Sequence, residues 1–100
     1  MLTIKKTIEG SKAVLRPGGR LDTVTAPELD TAIAEVIPAA EELVLDLEDL
    51  EYISSAGLRV LLTAHKKMMK KKGMKVTGVS EPVMEILDVT CFSDILDIVK

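Results

Sequence analysis

Leu43-Val44-Leu45-Asp46-Leu47-Glu48-Asp49-Leu50-Glu51-Tyr52-Ile53-Ser54-Ser55-Ala56-Gly57-Leu58 is the stretch on which the reading of this chain turns. Leu43 to Leu47 is a short, nearly continuous apolar run within Glu41 to Leu50. Such a run reads as a central parallel strand with both faces covered. From Tyr52 the chain leads into a helix. Its apolar stripe is Leu58, Leu61, Leu62, His65 and Met69, and it ends at Gly73. The junction is the carboxyl end of a strand feeding a helix N-terminus, where ligands and modifications gather in open α/β sheets. Free N–H groups and the positive helix end would stabilise a phosphate on a serine there. Gly57 keeps that first turn uncrowded. A serine before a helix is more often only an N-cap, and position alone favours that plainer role for Ser54 or Ser55.

Outward from this stretch, Leu2 to Ile8 and Lys12 to Leu15 read as two short strands, with Glu9-Gly10-Ser11 as the hairpin turn. Arg16-Pro17-Gly18-Gly19-Arg20 interrupts the second strand, because Pro17 cannot donate to a ladder; the segment is an edge or a bulge. Thr25-Ala26-Pro27-Glu28 predicts a helix start with a capping box between Thr25 and Glu28. Leu29, Ala32, Ile33, Val36 and Ile37 follow on one face, and Pro38 ends the helix. Met74 to Val79 reads as a strand. Ser80-Glu81-Pro82 opens a third helix carrying Val83, Ile86 and Leu87. Phe92 to Leu96 reads as a last turn and Ile98-Val99 as a last short strand. This β-β-α-β-α-β-α order predicts an α/β fold with a mixed sheet of four to five strands. Three to four helices, starting near Ala26, Ala56 and Glu81, are expected mainly on one face.

One hundred residues suit a single domain over 1–100. With only Tyr52 and Phe92 aromatic, the core must be aliphatic, and base stacking is a poor mode of binding. A net charge of −3 argues against direct nucleic-acid binding, which starts from a basic surface. One cysteine, Cys91, allows no internal disulfide and no thiolate metal cluster. There is no apolar run fit for a signal peptide or a membrane span, so a cytoplasmic location without membrane insertion is expected.

The ordered set of motifs resembles the bacterial anti-sigma factor antagonists, the STAS domains also found at the end of sulfate transporters. That family typically reads Asp-Ser-Ser/Thr/Ala-Gly-Leu after a strand of the Val-Leu-Asp-Leu type. Here the strand is Leu43-Val44-Leu45-Asp46-Leu47 and the loop is Ser54-Ser55-Ala56-Gly57-Leu58. Gly19-Arg20-Leu21-Asp22 is similar to the family's Gly-x-Leu/Ile-Asp. Ala26, Glu81-Pro82-Val83, Leu87 and Phe92-Ser93-Asp94-Ile95-Leu96 continue the likeness along essentially the whole chain. The resemblance implies an anti-sigma factor antagonist in a partner-switching pathway that regulates transcription indirectly. It implies Ser55 as the phosphoacceptor, modified by an anti-sigma factor that is also a serine kinase and reset by a serine phosphatase. The family's Asp is Ser54 here, which removes a carboxylate and makes Ser54 the alternative acceptor. Asp22, Thr23, Ser54, Ser55, Gly57, Leu58 and Arg59 form the expected partner-binding set. The alternative within the same fold is an unphosphorylated docking subunit or scaffold, such as one on a lipid-transport ATPase.

No nucleophile–base pair or triad supports an enzyme, and no cofactor or metal is expected. His65 lies on an apolar stripe without catalytic company and reads as a partly buried helix residue. Cys91, with nothing basic beside it, reads as a small core residue. Lys66, Lys67, Lys70, Lys71, Lys72 and Lys75 read as a solvated face and helix-end cations. Glu41, Glu42, Asp46, Glu48, Asp49 and Glu51 lack a ligand pattern, and are expected to form an acidic rim for a basic partner surface. Arg16-Pro17-Gly18-Gly19 lacks the Lys-Ser/Thr of a nucleotide loop.

Overall fold

In the computed structural model, which describes residues 2–99, the longest strand is the one that was expected to break. The hairpin pairs β1 (Thr3–Glu9) antiparallel with β2 (Lys12–Leu21), which continues through Pro17 with Ile4 opposite it. The reason lies on the other side of β2. There it pairs parallel with β3 (Glu42–Asp46) from Lys12 to Leu15, and with β4 (Leu50–Ile53) from Gly19 to Leu21. Pro17 falls in the gap between the two partners, where no ladder is broken on that side. The expected bulge is present, as a register shift at Gly19/Arg20.

Beyond β3 lie β5 (Met74–Thr77) and β6 (Asp97–Ile98), both parallel to their neighbours. The sheet has six strands in the order β1-β2-β3-β5-β6, with β4 on β2. That is one more than the range read from the sequence, and the addition is β4, too short to stand out between Leu47 and Ser54. The helices are α1 (Ala26–Val36), α2 (Ser55–Met68) and α3 (Glu81–Val89), followed by a 3-10 turn at Phe92–Asp94.

Register explains why the helices share one face. Ala13, Leu43 and Met74 stand side by side, as do Leu15, Leu45 and Val76, and all are buried. Leu29 and Ile33 of α1, Leu61 and Met68 of α2, and Leu87 of α3 join them in one core. Side chains of the other parity, among them Lys5, Thr7, Val14, Arg16, Asp46 and Lys75, form a face rich in charge and left open. Val44 is buried on that face only between its paired neighbours Val14 and Lys75. The expectation that both faces of this strand are covered is therefore corrected.

Three local expectations also change. Thr25 makes no side-chain cap to α1; its hydroxyl serves the preceding turn instead. The α2 stripe runs through Leu58, Leu61, Ala64 and Met68, while Met69 is 68 % exposed, because two full turns from Leu61 land on Met68. Cys91 is exposed and not in the core; it follows α3 in the left-handed region (φ 65), turning the chain outward there.

Candidate functional site

Because β2 and β4 are parallel and the register shift at Gly19/Arg20 sets Leu21 opposite Ile53, they end together. Leu21 pairs with Ile53, and the Ser54 N–H donates to the Leu21 carbonyl at 2.8 Å. The loop after β2 and the loop before α2 are thereby held side by side.

In the first loop the Asp22 carboxylate accepts from the N–H groups of Val24 (3.0 Å) and Thr25 (3.1 Å). The Thr25 hydroxyl, itself buried, donates to the Arg20 carbonyl at 2.7 Å and accepts from the Asp22 N–H at 2.9 Å. The Thr25 N–H, with smaller help from that of Val24 and the charge of Arg20, holds the Asp22 carboxyl below the usual carboxylate range against the opposing effect of burial. The loop is thus a fixed turn bearing a fixed negative charge. It presents Thr23 and holds Val24 out to solvent with 81 % of its surface exposed.

The second loop divides its two serines. Ser54 caps α2, accepting from the Gly57 N–H at a long 3.4 Å, and its carbonyl accepts from the Leu58 N–H at 2.9 Å. Ser55 is the first residue of the helix and is exposed, so its hydroxyl stands at the positive end of the α2 dipole. Gly57 and Leu58 are buried beneath it. A Cβ on Gly57 would lie 2.7 Å from Leu21 Cγ and 2.8 Å from Ile53 Cγ1. Glycine is what lets the first turn of α2 rest on the ends of β2 and β4. Beside Ser55, a shallow groove of ≈ 250 Å³ is lined by Asp30 of α1 and by Ala56, Arg59, Val60, Thr63 and Lys67 of α2.

The structure therefore brings Asp22, Thr23, Ser54, Ser55 and Arg59 to one surface, whereas Gly57 and Leu58 support it from below. Two neighbours escaped the sequence reading. Val24 had a signal, an apolar residue between two threonines in a polar turn. The Arg20 guanidinium lies over the Tyr52 ring, 4.4 Å from its centre, a contact that exists only because β2 and β4 are paired.

The acidic cluster is organised by one cation on the open sheet face. Arg16 lies 3.0 Å from Asp49, 3.1 Å from Glu48 and 4.0 Å from Asp46. Asp49 first, and then its two companions, hold the Arg16 proton more firmly than usual. The expected acidic rim is thus partly neutralised within the molecule. In the basic cluster Lys66, Lys67, Lys70, Lys72 and Lys75 are exposed. Lys71 is half-buried and donates to the carbonyls of Ile37 and Ala40 (2.7 Å for the latter). His65 is half-buried on α2, as expected. Among the described residues no group of His, Cys, Asp and Glu could hold a metal ion, and no helix is long and apolar enough to cross a membrane.

Comparison with known proteins places this geometry. The chain is 33 % identical over 82 residues to the anti-sigma-B factor antagonist of Bacillus subtilis (strain 168), an alignment covering 80 % of this chain and 74 % of that protein. It is 37 % identical over 70 residues to the anti-sigma-F factor antagonist RsfB of Mycobacterium tuberculosis (strain ATCC 25618 / H37Rv), covering 67 % of this chain and 56 % of the relative. The crystal structure of an anti-sigma factor antagonist from Mycobacterium paratuberculosis superposes with a TM-score of 0.89 at 26 % identity, over 98 % of this chain and 85 % of that one. The family model described as STAS domain matches residues 3–100, and the chain belongs to the STAS domain family.

Proposed function

We propose that this chain is an anti-sigma factor antagonist, a non-enzymatic regulator whose switch is Ser55. One observation carries the choice of residue: Ser54 is engaged as the cap of α2, while Ser55 is exposed at the helix start beside the Asp22 turn. The names of the relatives support the role, and the partner is then an anti-sigma factor that is also a serine kinase. Asp22, Thr23, Ser54, Ser55 and Arg59 form the contact surface, with Gly57 and Leu58 beneath, and Val24 adds an apolar anchor of the kind interfaces bury. A serine phosphatase reverses the modification.

A phosphate on Ser55 adds about −1.5 to −2 charge. The N-terminus of α2 stabilises that charge, and Arg59 lies four residues on, at the spacing where opposite charges meet. The fold therefore survives modification. A partner packed over the loop must desolvate the phosphate or stand away from it, at a cost of about 2–3 kcal/mol, which is roughly two orders of magnitude in affinity. Incubation with the cognate kinase and ATP, followed by mapping of the phosphorylated peptide, tests this. Ser55→Asp should fold and bind poorly, Ser55→Ala should bind and resist the kinase, and Ser54→Ala should still be phosphorylated. Phosphate on Ser54 alone moves the switch by one residue. No phosphate on either serine, with binding intact, points to the unswitched docking role.

A further inference from the structure

Among the described residues three strands are paired on one side only, and they are unequal. β6 has two residues, Asp97–Ile98, and β4 has four, Leu50–Ile53. β1 has seven, all paired with β2. A free edge of that length is a template for another strand. Glu9 and Lys12 close a two-residue turn, with Gly10 at φ 63. In such a hairpin the closing pair exchanges both N–H···O bonds, so Thr3, Lys5, Thr7 and Glu9 turn their backbone groups toward β2. Ile4, Lys6 and Ile8 turn theirs outward. Side chains alternate with the same parity: Thr3, Lys5, Thr7 and Glu9 stand on the open face, and Ile4, Lys6 and Ile8 on the helix side. The helical layer stops short of this edge. Ile8 remains 56 % exposed beside a pocket of ≈ 190 Å³, whose lining includes Lys6, Glu35, Val36 and Ala39.

We propose that β1 pairs antiparallel with β1 of a second copy about a two-fold axis at Thr7, making one continuous sheet through a dimer. A two-fold axis normal to the sheet keeps its faces continuous, so facing residues must share parity. Centring the axis on Lys5 sets Lys5 against Lys5, and centring it on Lys6 sets Lys6 against Lys6; both are repulsive. Centring it on Ile4 or Ile8 creates no charge pair. Centring it on Thr7 places Lys5 opposite Glu9 on both sides of the axis. It also sets Lys6 beside the exposed Ile8, whose apolar surface its methylene stem covers. The outward backbone groups of Lys6 and Ile8 then meet as a hydrogen-bonded pair, and Thr7 meets Thr7 as a non-hydrogen-bonded one. This isologous contact closes on itself and leaves no further edge of comparable length. Asp22 and Ser55 lie at the far end of β2, so both copies keep them free. Seven residues of β2 separate Val14, opposite Thr7, from Leu21, so each site stands about 23 Å from the axis.

The surface is independent of the switch and is tested on the full chain by sedimentation from about 1 μM to about 1 mM, a range suited to a small interface. The wild type should dimerise as concentration rises. Glu9→Lys or Lys5→Glu turns two attractive pairs into two repulsive ones and should weaken dimerisation about tenfold or more. The double exchange Lys5→Glu with Glu9→Lys should restore it. In a Cys91→Ser background, Thr7→Cys should form an intermolecular disulfide under mild oxidation, since the paired Cα atoms would lie about 4.5 Å apart. Lys5→Cys, which faces Glu9, should not. Circular dichroism checks that each variant folds, and the Thr7→Cys cross-link carries the test if a charge variant does not. A wild type that stays monomeric throughout, including one whose edge is taken by an unlike chain, overturns the proposal. So does a dimer indifferent to charge reversal, or a cross-link at Lys5 in place of Thr7.

Discussion

Ser54 and Ser55 are adjacent hydroxyls with different surroundings, and the difference comes from the backbone that holds them. The Ser54 N–H is committed to Leu21 and its side chain to the helix start, whereas Ser55 already points out of the first turn. The same closeness of β2, β4 and α2 makes Gly57 indispensable. Gly57→Ala places a methyl within 3 Å of Leu21 and Ile53 side-chain atoms. It should cost about 1–3 kcal/mol of stability in urea unfolding, as overpacking usually does. Gly57 was legible as a residue that leaves room, but what it leaves room for was not, because Leu21 reaches it only through long-range pairing. Thr25 and Glu28 carry the letters of a capping box. The Asp22 carboxylate takes the Thr25 N–H that Glu28 would have capped, while the Thr25 hydroxyl accepts from the Asp22 N–H and donates to the Arg20 carbonyl.

At the scale of elements, sequence pattern located α1, α2, α3, the β1–β2 hairpin and the buried β3, since each has a period or a turn of its own. It missed β4, whose four residues owe their conformation to β2, and it broke β2 at Pro17, whose exemption depends on a change of partner. Nor could it divide the lysines after α2. Among the described lysines, Lys71 crosses to the turn that follows α1, where its ammonium donates to the carbonyls of Ile37 and Ala40. Lys71→Met should lower stability by about 1.5–3 kcal/mol, the usual worth of hydrogen bonds to a charged group. Lys70→Met and Lys72→Met, at exposed positions, should stay within about 0.5 kcal/mol of wild type. Equal losses at all three positions in chemical denaturation would remove Lys71 from this role.

The whole molecule has a covered face and an open one, and the open face is held together by charge more than by burial. Arg16 is its hub, with three carboxylates around one guanidinium. Arg16→Met should lower the thermal midpoint, and the loss should shrink when salt is raised from about 20 mM to about 500 mM, because screening relieves the remaining like charges. A loss that grows with salt would contradict this account. The fold class and the one-sided helical layer were legible because alternation and order are written locally. The charge hub was not, since Arg16 meets Asp46, Glu48 and Asp49 only after β2 and β3 are aligned. The pairing of β2 with β4 also sets the order in which the protein can be built on the ribosome. Gly19–Leu21 must wait for Leu50–Ile53 to be translated, about 2–6 s at ordinary elongation rates. In that interval the nascent chain carries Asp22 and Thr23 but no loop to set beside them, and the proposed contact surface comes into being only when the second half of the chain arrives.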